Sequence, residues 1–505
     1  MIHVVWFKRD LRLHHHAPLA AAAPRGPCLP LYIDEPDYWA LPDVAPRHRR
    51  FIAHSLAELD EDLRTLGGGL VVQRGDAVAV LEALRRRWGD IALYSHQETG
   101  NHWTFQRDRR VRRWAAHQGV PWREWRQFGV VRGAYHRGDR GEDRWARQWD
   151  AMMAEPLIPA PTTITLPRDT AGEASHLQLA DTADGLRELQ PPGRRAGLAL
   201  LEDFLHHRAQ GYSKAMSSPV TAFDGCSRLS PHLAYGTLAM AEVYQAATAR
   251  QRALSQLPMA ERRGWRGGLN AFVGRLHWHC HFIQKLESQP SLEWQNLQRA
   301  CDGLRDTFNP ERFDAWTTGT TGYPLVDACL RALTATGYLN FRMRALVVSF
   351  ASYDLWLDWR HTGPWLARQF TDYEPGIHYS QLQMQSGTTG INTLRVYSPV
   401  KQSTDQDPEG HFIRQWVPEL AGFPKTWLHT PWRCPGHLQV KYGCVVGRDY
   451  PTPVVDHNLA ARRAKAAIWA VRQSDEGKTQ ATEVFQRHGS RRRPPNRRSP
   501  RQQAS

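Results

Sequence analysis

The sequence predicts a molecule in two parts: an N-terminal α/β domain on a doubly wound parallel sheet, then a larger all-helical domain. Three observations carry that prediction. Short apolar runs alternate with helix-period stretches through the first 130 residues; residues 155–197 lose periodicity and gain proline, threonine and acids; and from about residue 198 apolar residues recur at helical spacing.

The elements follow in order. HVVWF (3–7), CLPLYI (28–33), GLVVQ (69–73), IALYS (91–95) and VPWREW (120–125) read as strands. Between successive pairs from the second strand on lie FIAHSLAELDEDLRTLG, AVAVLEALRRRWG and HWTFQRDRRVRRWAAHQG, helical in period and closed by glycine. This βαβ order implies a parallel sheet covered by helices. GGG at 67–69 precedes a strand and does not open a helix, so no Rossmann dinucleotide site is read there. The expected division is 1–130 α/β, 131–197 linker, 198–470 helical and 471–505 a basic disordered tail ending in SRRRPPNRRSPRQQAS.

Composition narrows the class. The 505 residues are 41% hydrophobic and 23% charged, as in soluble globular chains. No apolar run reaches the length of a membrane span, and the start MIHVVWFKRDLRL reads as a first strand, not a signal peptide. Seven cysteines without a CxxC pair fit a reduced, cytoplasmic setting. The net charge is +15, of which seven arginines from Arg487 onward supply part, leaving about +8. Such a surface favours a polyanion, nucleic acid first. Twenty tryptophans suit cores, stacking on bases or flavins, and electron relay.

Two stretches carry polar chemistry in apolar surroundings. In SRLSPHL (227–233) Ser230 reads as an N-cap before Pro231, and hydroxyls, Arg228 and free N–H groups at a helix start suit a pyrophosphate. In FRMRALVVSF, Arg342 and Arg344 need acidic partners; the nearest downstream are Asp372 and Glu374, in DYEPGIHYSQLQMQSG (372–387). That segment, read as extended, would set Gln381, Gln383 and Gln385 on one side. GRLHWHCHF adds His277, His279 and His281, with His277 and His281 on one helix face and His279 pointing away; no metal-ligand spacing is present, and no metal is expected.

With WFKRDLRL (6–13), SRLSPHL, TGYPLVDA (321–328), the RMR–LWLDWR helix and SPVKQSTDQDPEGHFIRQWVPEL (398–420), the chain resembles the photolyase/cryptochrome superfamily over roughly residues 1–460. The resemblance implies an antenna-type α/β domain and a helical domain holding FAD. It implies that Tyr212, Ser227, Arg228, Leu229 and Ser230 hold the phosphates and ribityl chain, that Arg344 and Asp372 pair beside the flavin ring, and that Tyr373 and Glu374 lie against it. It implies that Arg275, Trp278, Arg342 and Met384 face DNA, and that Trp359 and His378 serve the redox chemistry, Trp359 as the middle relay tryptophan and His378 at the ring edge, titrating near neutral pH. A folate or deazaflavin antenna is common in the family, but HHHAP (14–18) departs from its pattern and leaves that chromophore open.

Other departures bear on activity. Leu382-Gln383-Met384 stands where dimer photolyases carry W-Q-W, Arg275 stands where they carry glutamate, and the outer relay position falls near Asp306 and Phe308. LNFRMR lacks the two histidines of (6-4) photolyases. Three readings follow: a light-driven, monomeric DNA lyase acting on pyrimidine dimers, a blue-light receptor without repair, or a binding module with FAD as a structural part.

Overall fold

A computed structural model describes residues 1–133, 144–170, 177 and 184–489. The N-terminal sheet has five parallel strands: β1 (Ile2–Phe7), β2 (Cys28–Asp34), β3 (Val71–Arg74), β4 (Ile91–His96) and β5 (Trp122–Trp125), in the order β3-β2-β1-β4-β5. Alternate residues of β1 serve opposite faces. Val5 and Phe7 pack with α1 (Ala17–Ala22) and α2 (Pro46–Thr65); Val4 and Trp6 pack with α3 (Ala77–Trp88) and α4 (His102–His117). The sheet is therefore doubly wound, as expected. The short α1 was not foreseen; its six residues hold too little periodicity to read.

The strand order reverses between β1 and β4, and the chain beyond those strand ends turns toward the helical domain. Asp10 there accepts from His16 Nε2 at 2.9 Å and from His96 Nδ1 at 2.7 Å. His16 Nδ1 takes the Leu19 amide, so its proton sits on Nε2, and the trio is a hydrogen-bonded knot joining β1, α1 and β4.

Two expectations about extents are corrected. The connector 131–197 contains α5 (Arg144–Ala154), and α6 (Arg194–Asp203) begins inside it. The tail expected to be disordered from 471 is helical first: α7 (Trp265–Ser288), α8 (Pro324–Thr336), α9 (Phe341–Ser349), α10 (Trp359–Gln369) and α11 (Pro375–Ser386) form the heart of the second domain, and α12 (His457–Gln473) and α13 (Asp475–His488) close it. Ser474 caps α13, and His488 bonds Gln289 at 2.7 Å, so this end is tied down. The arginine-rich stretch from 490 lies outside the described residues. Among the described residues no helix is long and apolar enough to cross a membrane.

Polar side chains from the α/β domain fasten the two parts together. Arg47 donates to the Gln369 and Thr334 carbonyls, His48 Nε2 to that of Phe370, and Arg12 to that of Gly236. Gly236 has φ +67°, and a Cβ there would lie 2.2 Å from the Arg9 carbonyl oxygen. The domains meet here through backbone.

Candidate cofactor and nucleic-acid site

The helical domain encloses a cavity of about 1450 Å³, counting the solvent at its mouth. Its walls follow helix periodicity. From α7 come Arg275, Trp278, His279 and Phe282; from α9, Phe341, Arg344, Ala345 and Val348; from α11, Ile377, His378, Gln381, Leu382 and Gln385. The segment 372–387 is thus a helix from Pro375, with Gly387 in the left-handed conformation as its stop, and not an extended strand. The three glutamines therefore diverge. Gln381 and Gln385 face the cavity, while Gln383 points into the core and holds the Leu292 and Gln295 carbonyls and the Leu297 amide.

Arg344 and Asp372 pair as expected, Nη2 lying 3.0 and 2.8 Å from the two carboxylate oxygens. Burial alone would raise the Asp372 carboxyl; the Arg344 guanidinium and the Ser230 hydroxyl outweigh it and hold it below the usual range. Ser230 is accordingly not the N-cap: it lies within the first turn of the short helix Ser230–Ala234, its hydroxyl turned to Asp372. Glu374 does not share Arg344. Its partner is Arg9, from the loop after β1, at 2.9 Å, and Arg9 also donates to the Tyr373 and Ala234 carbonyls. Burial, partly offset by Arg9, raises the Glu374 carboxyl to about 7. This cross-domain cation was missed because nothing in WFKRDLRL says that its arginine reaches 364 residues along the chain.

His378 donates through Nε2 to the Gly363 carbonyl at 2.9 Å, which leaves Nδ1 as an acceptor. Burial and the nearby Arg344 lower it to about 4, so it stays neutral near pH 7 and does not titrate there as expected. His279 was expected to point away from its neighbours, and it does; the consequence is that it alone faces the cavity. His277 and His281 pack on Trp145, and His277 also on Trp149.

Arg228 adopts φ +59°. Its guanidinium lies over the rings of Phe223 and Tyr338, 4.0 and 3.9 Å from their centroids. Gln190 of the connector grips it from both sides, accepting from the guanidinium and donating to the Arg228 carbonyl at 2.6 Å. Tyr212, Ser227 and Ser230 join this wall. Leu229 instead buries its side chain in the core. Arg342 and Met384, half-buried, lie outside the cavity lining, because their helix positions turn them away. Trp278 is 46% exposed and stacks on Phe282 at the rim, and Arg275 lies over Phe341, itself 42% exposed. Trp359 is buried, donates to Asn296 Oδ1 at 2.8 Å, and meets Tyr379 edge-on at 6.2 Å.

Several buried polar atoms on the wall have no protein partner: both amide atoms of Gln381, His279 Nδ1, Asn340 Oδ1 and Glu374 Oε1. Buried groups of this kind are costly unless a ligand satisfies them. Donors and acceptors around an otherwise apolar and aromatic cavity suit a large heterocycle with polar edges. The serine- and arginine-lined end suits phosphates. The residues present fit a flavin dinucleotide.

Comparison with known proteins agrees with this geometry. Residues 3–132 match the family model "DNA photolyase", and residues 272–470 match "FAD binding domain of DNA photolyase". A deoxyribodipyrimidine photo-lyase of Streptomyces griseus is 32% identical over 480 residues, covering 92% of this chain and 97% of the relative. A protein of Gloeobacter violaceus named cryptochrome DASH is 29% identical, covering 90% and 93%. The crystal structure of a bacterial class III photolyase from Agrobacterium tumefaciens superposes with a TM-score of 0.80 at 26% identity, covering 94% and 98%.

Proposed function

This chain belongs to the photolyase/cryptochrome superfamily, and from that premise we propose that it is an FAD-dependent, light-driven lyase for pyrimidine dimers in DNA. The observation that carries the reading is the join between a deep cavity, its unpartnered polar groups suited to a flavin, and a rim bearing the exposed Trp278. FAD would supply an electron under blue light. Arg344, Asp372, Glu374 and Gln381 would hold and polarise its ring, and Ser227, Arg228 and Ser230 its phosphates. Trp278 and Phe341 would stack on a pyrimidine dimer flipped out of the duplex, and Arg275 would approach a phosphate. Nδ1 of His378 presents an acceptor to whatever lies against it.

The test is direct. Reduced, flavin-loaded protein is mixed with dimer-bearing DNA and illuminated, and the remaining dimers are counted. Wild type should remove them, Trp278→Ala should bind damaged DNA more weakly, and Arg344→Ala should lose the flavin. No dimer loss by a flavin-loaded protein would favour the second reading, a blue-light receptor. One observation supports that reading: Leu382 and Met384 give a lesion no aromatic surface from α11.

A further inference from the structure

Asp43, Tyr373 and Tyr379 form a cluster that cofactor binding does not explain. Asp43 precedes α2 in the α/β domain and is 4% exposed. Its Oδ2 accepts from Tyr373 at 2.5 Å, from Asn101 at 3.2 Å and from Tyr379 at 3.5 Å. Tyr373 is on the cavity wall; Tyr379 lies behind it, with its ring 6.2 Å from that of Trp359. Of the three tyrosines on the wall, Tyr212, Tyr338 and Tyr373, the last alone donates to a carboxylate among the described residues. Both clustered phenols are raised well above 10 by burial and by Asp43, so they stay protonated. A phenol that loses an electron becomes a strong acid, so in a dry site it needs a base already in contact. Asp43 is that base. Leu382, on the same wall, cannot carry a radical.

We propose that Tyr373, Asp43 and Tyr379 form a proton-coupled electron-donor site that recharges the flavin; this rests on the reading of the cavity as an FAD site. Tyr373 gives one electron to the light-excited, oxidised FAD. Its O–H bond breaks, and the proton passes to Asp43 Oδ2, leaving a neutral phenoxyl radical and a neutral carboxyl group. Tyr379 then reduces that radical while Asp43 returns the first proton to Tyr373 and takes the proton of Tyr379. An external thiol then loses its proton to solvent and one electron to the Tyr379 radical through Trp359, becoming a thiyl radical, and Asp43 gives its proton back to Tyr379; two such turns yield two thiyl radicals, which join as one disulfide. The net transfer is one electron from thiol to FAD, with Asp43 ionised again.

The experiment follows flavin absorbance under anaerobic blue light with dithiothreitol, after flavin content has been measured for wild type, Tyr373→Phe, Asp43→Asn and Asp43→Glu. Loaded Tyr373→Phe and Asp43→Asn should photoreduce slower by about tenfold or more. Both should lose the tyrosyl radical seen by flash absorption and paramagnetic resonance. Asp43→Glu should restore part of the rate, and wild type should slow in heavy water while Asp43→Asn does not. A structural role alone would move neither the radical signal nor the isotope effect. Loaded Tyr373→Phe that photoreduces at the wild-type rate, or wild type that forms no tyrosyl radical, overturns the proposal alone. A wild-type chain that takes up no flavin overturns the cofactor reading, and this proposal with it.

Discussion

Replacing Arg9 by methionine tests the cross-domain ion pair, and its signature lies in pH. Glu374 is buried and Arg9 largely so, with side chains 3% and 13% exposed. Removing one member of such a pair costs about 3–5 kcal/mol at neutral pH. Glu374 ionises near 4.5 in the unfolded chain and near 7 in the folded one. Between those values the folded state holds the extra proton, so stability falls as pH rises through this window and levels off above 7. Without Arg9 the folded carboxyl rises well past 7, and the fall continues. At about 1.4 kcal/mol per pH unit, the variant should lose roughly a further 1.5 kcal/mol relative to wild type between pH 7 and 8.5. Urea unfolding of both proteins at these two pH values, at equal FAD saturation, gives the difference. A destabilisation equal at both would refute the reasoning, because Glu374 would then not depend on Arg9 for its charge.

Other expectations follow from the same geometry. His378 titrates near 6.5 unfolded and about 4 folded, so its contribution is complete above 6.5 and is lost as pH falls; His378→Asn should gain about 1.4 kcal/mol relative to wild type on going from pH 7.5 to 5.5, measured by urea midpoints, and no gain would place the imidazole in water. Gly236→Ala adds a Cβ 2.2 Å from the Arg9 carbonyl at a positive φ, and should cost about 2–4 kcal/mol in thermal unfolding; a loss below about 1 kcal/mol would mean that the domains part easily. Deleting 490–505 removes six arginines and should make the salt dependence of DNA binding shallower by up to about five, leaving preference for damaged DNA unchanged; an altered preference would move lesion reading away from Trp278.

Legibility in the sequence tracked the range of the interaction. The five strands and the three longer helices among them were readable because period and glycine stops are local signals. That Arg344 pairs with Asp372 or Glu374 was readable because a cation in an apolar helix limits its partners to the nearest acids, and the family resemblance singled out Asp372. Arg9 with Glu374, and Asp43 with Tyr373, were not, since both cross the domain boundary and no local pattern encodes that closure. The segment 372–387 misled because Gln381, Gln383 and Gln385 look like strand alternation, whereas the preceding proline and the closing glycine mark a helix. Its polar residues face a cavity, which erases the amphipathic stripe that would have shown its period.

The grip of Gln190 on Arg228 bears on how quickly a bound molecule leaves. The serine- and arginine-lined end of the cavity is buckled by a few hydrogen bonds and two ring contacts, and one side of the buckle belongs to the connector. Opening it requires no helix to unwind. Release then becomes a local fluctuation with its own rate, separate from the free energy that holds the domains together. A cofactor kept in this way exchanges without denaturant, and a single protease cut near Gln190 would shorten its residence time while leaving the melting temperature almost where it was.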